Sequence, residues 1–223
     1  MRLDLDHDTH GLDLRPDISA ITPPESMAGT LTLHRREIRL VCERLLMVAG
    51  VPAGACPAAR DFAVDCVDRF GRDALARLAG TFPGGGADRP AWTPPRRTGP
   101  RRIDAGGRSA LLVGAPVLAG VLADGPGDPV TVHGLADADL LGAGALWAAS
   151  LGLGLAVAVE GADARVEVLP AAPPAPPSLI GTGIEVPAEV WWPLYYASNE
   201  ALSIDTDLSR LHTGMAPPPS GIL

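Results

Sequence analysis

The sequence contains no lysine. All 18 basic residues among its 223 are arginine. That excludes a lysine Schiff base, a phosphate loop built on an invariant lysine, and a kinase-type phosphate lysine. Cysteine is scarce: Cys42, Cys56 and Cys66 are an odd set with no C-x-x-C pair, so neither a disulfide scaffold nor a zinc knuckle is supported. Positive charge is in deficit. A net charge of −8 argues against nucleic acid as the main partner. The opening MRLDLDHDTHGLDL lacks the apolar stretch of a secretory signal, and with so few cysteines a reducing cytoplasm is the expected compartment. Aromatic residues make up only 4% of the chain, yet four of the nine are Trp191, Trp192, Tyr195 and Tyr196.

What is present suffices for a core. Hydrophobic residues reach 47% and charged residues 20%, which fits one domain, or one domain with a small helical annex. One run, Leu140–Val159, passes 20 residues without a charge, about the length a bilayer requires. Its flanks are acidic (Asp137, Asp139, Glu160, Asp163), it has no arginine anchor, and four glycines and six alanines dilute it. Its pattern also changes near Gly152. We read it as a buried helix followed by a buried strand, not as a membrane span.

The pattern predicts an α+β protein: an N-terminal helical hairpin packed beside a small mixed β-sheet with helices. Residues 1–30 read as an acidic extension with a hairpin-like alternation of leucines. Over 31–82, Ile38, Val41, Cys42, Leu45 and Val48 share one helical stripe, which stops at Gly50-Val51-Pro52. Ala59, Phe62, Ala63, Cys66, Val67 and Phe70 form a second stripe. Residues 83–108 hold five prolines and six glycines by position 107 and read as an arginine-rich linker. Residues 109–215 read as a small α/β domain. In it SALLVG is a strand, PVLAGVLAD a helix, DPVTVHG a strand, and LGLAVAVE with ARVEVLP a hairpin turning at Gly161-Ala162-Asp163. Residues 170–177, with five prolines in eight, form a stiff spacer. An aromatic helix opened by Pro187 follows.

Leu31, Leu33, Glu37, Gly50, Pro52, Trp191, Ser209, Arg210 and Gly214 together resemble the pattern of an uncharacterised bacterial domain family. Its members open with a leucine-x-leucine-x-x-glutamate helix and an alanine-glycine-leucine-proline turn, and end with a tryptophan-led helix and a serine-arginine plus glycine-alanine-glycine tail. The likeness covers about residues 31–214 and departs where Thr213-Gly214-Met215 replaces the small-residue run. It implies an architecture and no reaction. A weaker similarity is to the lactate/malate-type dehydrogenases that include ureidoglycolate dehydrogenase, through the helical pair split by an alanine-glycine-valine turn. Where their serine-histidine-glycine motif should stand, this chain has Phe70-Gly71-Arg72, so the acid/base for hydride transfer is missing.

Several groups could carry chemistry. Cys42 and Cys66 lie on apolar helix faces and read as inert core thiols. Cys56, near a helix start, could have a lowered pKa, but no histidine neighbours it. Asp6-His7-Asp8-Thr9-His10 has metal-binding residue types in no known metal spacing. Asp205-Thr206-Asp207 begins like a calcium loop but has Arg210 and Ala216 where glycine and glutamate are needed. Gly181-Thr182-Gly183 is too short for a dinucleotide loop. Arg89, Arg96, Arg97, Arg101, Arg102 and Arg108 are a third of the basic residues; they could clamp an anion or simply solvate a linker. His133 closes a predicted strand, where ligands of α/β sheets gather.

Two functions follow as expectations. The first is a metabolic enzyme acting on a polar, carboxylate-bearing small molecule without a covalent cofactor or a metal. His133, Glu200 and His212 would supply acid/base chemistry, with Arg210, Ser209, Trp192 and Tyr196 binding substrate. The second is a non-catalytic accessory or oligomerisation subunit that uses the aromatic helix to bind itself or a neighbouring enzyme. Either way the expected partners are a small molecule or a protein chain, with self-association expected and neither nucleic acid nor membrane.

Overall fold

The structure is a computed structural model, and it describes residues 28–82, 92–171 and 178–201. The fold is α+β. Strand β1 (Thr30–Leu33) precedes three helices, α1 (Arg35–Val48), α2 (Cys56–Phe70) and α3 (Arg72–Thr81). Strands β2 (Arg96–Gly99) and β3 (Arg102–Ser109) lead into α4 (Ala110–Asp124) and β4 (Val130–Ala136). A 3-10 helix (Ala138–Gly144), α5 (Ala145–Ser150) and the hairpin β5 (Gly154–Glu160) and β6 (Asp163–Leu169) come next, then β7 (Ile184–Pro187) and α6 (Ala188–Asn199).

The main sheet runs β2-β3-β4-β6-β5. Only β3 and β4 are parallel, and α4 is their crossover. A separate ladder of β1 with β7 ties the chain ahead of α1 to the chain ahead of α6.

The helical hairpin forms as its stripes predict. Ile38, Val41, Cys42 and Leu45 of α1 are buried against α2, which buries Ala59, Phe62, Ala63, Cys66 and Val67. Glu37 accepts the His34 N–H at 3.0 Å and closes the first turn of α1. α3 then extends the pair. Asp68, almost fully buried on α2, accepts Ser178 Oγ–H at 2.6 Å and Ile180 N–H at 3.0 Å, with Arg35 Nη1 3.8 Å away. It pins the segment after the proline run to the helical layer.

Two expectations need correction. SALLVG is the start of α4, not a strand. A short apolar run reads either way; here Ser109 caps it, accepting the Leu111 N–H at 3.3 Å. α4 is apolar on every face because it lies between the sheet and α2. Gly114 makes that approach possible, since a Cβ there would sit 2.3 Å from the Phe62 ring. The expected linker 83–108 also contains the paired strands β2 and β3 from Arg96 onward. Proline and glycine content hid the alternation of Ile103 and Ala105, both buried against α4's layer. A single buried core therefore runs from Leu33 to Ala197 across the expected linker.

The uncharged run Leu140–Val159 is the 3-10 helix, α5 and most of β5; the helix-then-strand order is the expected one, but the strand is not buried, because β5 lies at the sheet edge and only its Gly154 is buried. Among the described residues no helix is long and apolar enough to cross a membrane. The acidic cluster at Asp6–His10, the proline spacer's residues 172–177 and the calcium-like segment at Asp205 lie outside the described residues.

Candidate functional site

The carboxyl ends of β3 and β4 lie side by side, Ser109 opposite Ala136. This is where open α/β sheets place their ligands. The chain enters the place by an irregular route. Between Asp104 and Arg108 the β3–β4 register shifts: four residue steps on β3 face two on β4, from His133 to Leu135. Gly106 (φ +63) and Gly107 (φ +76) absorb the extra length in a conformation that L side chains avoid. Asp104 Oδ1 fixes the turn by accepting the Gly106 N–H at 2.8 Å. The bulge re-aims Arg108, whose Nη1 donates to the Ala105 carbonyl at 3.1 Å.

A groove of about 590 Å³ opens here. Arg77, Gly80 and Thr81 of α3 line one wall; Gly107, Arg108, Ser109 and Leu112 line the floor at the start of α4; Ala136 and Asp137 line it at the end of β4. Asp137 is in the left-handed region (φ 56, ψ 40), alone in positive φ among the described non-glycine residues. Backbone of that kind tends to collect at functional sites. The Asp137 carboxylate accepts the Ser109 hydroxyl at 3.0 Å and stands 3.9 Å from Arg77. Arg77 also donates to Asp139, and that hydrogen bond above all raises its pKa, so it stays cationic. The lining thus brings together two guanidiniums, one carboxylate, two hydroxyls (Thr81 and Ser109) and the amino end of a 15-residue helix. A helix amino end carries partial positive charge.

The residues singled out from sequence are dispersed. His133 does not close β4, which continues to Ala136. It sits mid-strand, its Nδ1 3.0 Å from Asp163 Oδ2. Asp163 also accepts the Gly134 N–H at 3.1 Å, and the His133 contact above all depresses its pKa. Trp192 and Tyr196 are on α6, which packs on α1, α3 and β7, whereas β4 pairs with β3 and β6 and is backed by α4. The structure therefore does not bring His133 to the aromatic helix. Glu200 follows the last turn of α6. Ser209, Arg210 and His212 lie outside the described residues.

The aromatic rings mostly pack on each other. Trp191 is buried in the core. Trp192 meets Tyr195 edge-on at 5.6 Å and Tyr196 at 5.9 Å. None of the four lines the groove.

The remaining candidates resolve simply. Burial pushes the Cys42 thiol up to about 12 and raises Cys66 well above its ordinary range. Cys56 is raised too, first by burial and then by Glu43, despite its place at the start of α2. Of the arginine run, Arg97 is paired with Asp124 and Arg101 stands 3.9 Å from the same carboxylate. Arg108 alone of the run enters the groove, and Arg89 lies outside the described residues. Among the described residues no three His, Cys, Asp or Glu side chains are grouped to hold a metal ion.

Sequence reasoning did not single out Arg77, Ser109 or Asp137. A signal for Ser109 was present: a Gly-Gly pair, then a cap residue, then an apolar helix. Arg77 and Asp137 reach the groove only through the packing of α3 beside the strand ends. Compared with known proteins, the chain matches no family model, no curated protein and no solved structure.

Proposed function

We propose that the chain binds a small, polar, carboxylate- or phosphate-bearing metabolite in the groove at the ends of β3 and β4, and acts in small-molecule metabolism. The observation that carries this reading is the convergence of Arg77, Arg108 and the amino end of α4 on one concave surface. The volume suits a small ligand. Of the two lining arginines, Arg77 is held between Asp137 and Asp139, and Arg108 is the one with no carboxylate partner among its described contacts.

The residues divide the work. Arg77 is already shared between Asp137 and Asp139, so it frames the groove. Arg108 is bound only to a backbone carbonyl among its described contacts, which leaves most of its donors for a two-pronged grip on an oxyanion. Gly107 brings bare backbone to the floor. Asp137 is the lining group able to exchange a proton with a bound ligand, and it orients the Ser109 hydroxyl. The accessory-subunit reading has less support, because Trp191 fills the core and Trp192 and Tyr195 pack against it.

A thermal-shift screen of carboxylated and phosphorylated metabolites tests the proposal. Ligands that raise the melting temperature of the wild type and fail to do so with Arg108→Ala are expected. A screen in which the same compounds stabilise both proteins equally would remove the groove from consideration.

A further inference from the structure

The groove's own hydrogen bonds decide what a ligand must bring to it. Both lining hydroxyls have already given away their hydrogen. Thr81 Oγ1–H goes to the Arg77 carbonyl at 2.8 Å, and Ser109 Oγ–H goes to Asp137 Oδ2 at 3.0 Å. Arg77 Nη1 donates to Asp139 at 2.5 Å and stands 3.9 Å from Asp137 Oδ1, beyond hydrogen-bond length. Its charge is therefore answered by a carboxylate outside the groove lining. Apart from that pair, the lining has one cation and one anion. Arg108 gives one N–H to the Ala105 carbonyl and keeps its other donors. Asp137 receives one hydroxyl hydrogen on Oδ2 and has lone pairs open on Oδ1.

We infer that the groove selects small molecules carrying both a carboxylate and a hydrogen-bond donor, amino acids first and hydroxy acids second, over phosphates and plain acids. The inference rests on the groove being the binding site. Arg108 takes the carboxylate in a two-pronged grip. Asp137 takes the ammonium or hydroxyl, and an ammonium gains more because both partners are then charged. The same carboxylate disfavours ligands without a donor. A phosphate brings further negative charge toward Asp137, and a plain acid leaves the open lone pairs unanswered once water is displaced. The backbone at Asp137 suits the role. It lies in the left-handed region (φ 56), where aspartate and asparagine are the best tolerated residues after glycine. Asparagine therefore fits the position; it keeps an oxygen for the Ser109 hydroxyl and replaces the other acceptor by a donor.

Calorimetric titration of the full chain with glutamate, 2-hydroxyglutarate, glutarate and inorganic phosphate tests this. The three organic probes share one carbon skeleton and differ at a single substituent. Glutamate is expected to bind about tenfold or more tighter than glutarate, the scale of a charge-assisted hydrogen bond, with 2-hydroxyglutarate between them and phosphate weaker than glutamate. In Asp137→Asn the preference for glutamate over glutarate should fall to about threefold or less, with circular dichroism unchanged. Glutarate or phosphate binding as tightly as glutamate, and lost in Arg108→Ala, overturns the donor requirement and leaves the groove as a plain anion site. A glutamate preference that survives Asp137→Asn overturns it as well. Binding of none of the four, or binding indifferent to Arg108→Ala, overturns the inference together with the groove.

Discussion

One strand carries two polar places that turned out very differently. Mid-way along β4, His133 meets Asp163 on the open face of the sheet, their side chains 43% and 47% exposed. Three residues on, Ala136 and Asp137 leave the strand beside Ser109 and the start of α4, and there the chain makes a groove. The residue types at the first place look more chemical. The second has the concavity, because a strand end, a helix amino end and α3 meet there. A site needs walls as well as functional groups, and the middle of a solvated sheet face has none.

This contrast can be tested by breaking each place separately. Arg108→Ala should weaken anion binding in the groove by tenfold or more, the scale of a lost charge-assisted hydrogen bond, as read by calorimetric titration. Gly107→Val should come next. Nothing lies within 4 Å of a Cβ there, so its cost of about 1–2 kcal/mol would be backbone strain alone. Urea unfolding measures it, and the displaced bulge should also lower anion affinity.

Burial and pairing also pull carboxylates in opposite directions. Desolvation raises Asp65 to about 6, against the pull of Arg35. Its folded pKa is above its unfolded one, so the folded state binds the extra proton, and stability falls as pH rises through about 4 to 6. Asp65→Asn should therefore stabilise the protein at pH 7 by about 1 kcal/mol, discounted for partial solvation, and the gain should vanish near pH 4. Asp163 is depressed by His133, so what it contributes is present at neutral pH and is lost as pH falls below the usual carboxylate range. The smallest effect belongs to His133→Ala: anion affinity within twofold of the wild type, since His133 does not line the groove.

The helical layer was legible because its signals are local. The spacing of Ile38, Val41, Cys42 and Leu45 and the Gly50–Pro52 stop define α1 without any distant contact. β5 and β6 were legible for the same reason, through Gly161 and alternating valines. The start of α4 was not, because ALLVG has no polar face to show a period; its helicity comes from the Ser109 cap and from burial on both sides. β2 and β3 were hidden by glycines that serve the bulge. The groove was the least legible feature. Arg77 and Asp137 are sixty residues apart in sequence, and only tertiary packing makes them neighbours. His133 was misplaced by three residues of strand, enough to move it from a strand end to an open face.

The central claim is that the bulge and the amino end of α4 hold an anion. Nitrogen-15 chemical-shift mapping during titration with citrate, and separately with inorganic phosphate, tests it most directly. The account predicts saturable shifts for at least one of them at the amides of Gly107, Arg108, Ser109, Ala110 and Leu111, absent in the Arg77→Ala/Arg108→Ala double variant. Shifts centred on His133 and Gly134, or none at the five groove amides with either anion, would contradict it.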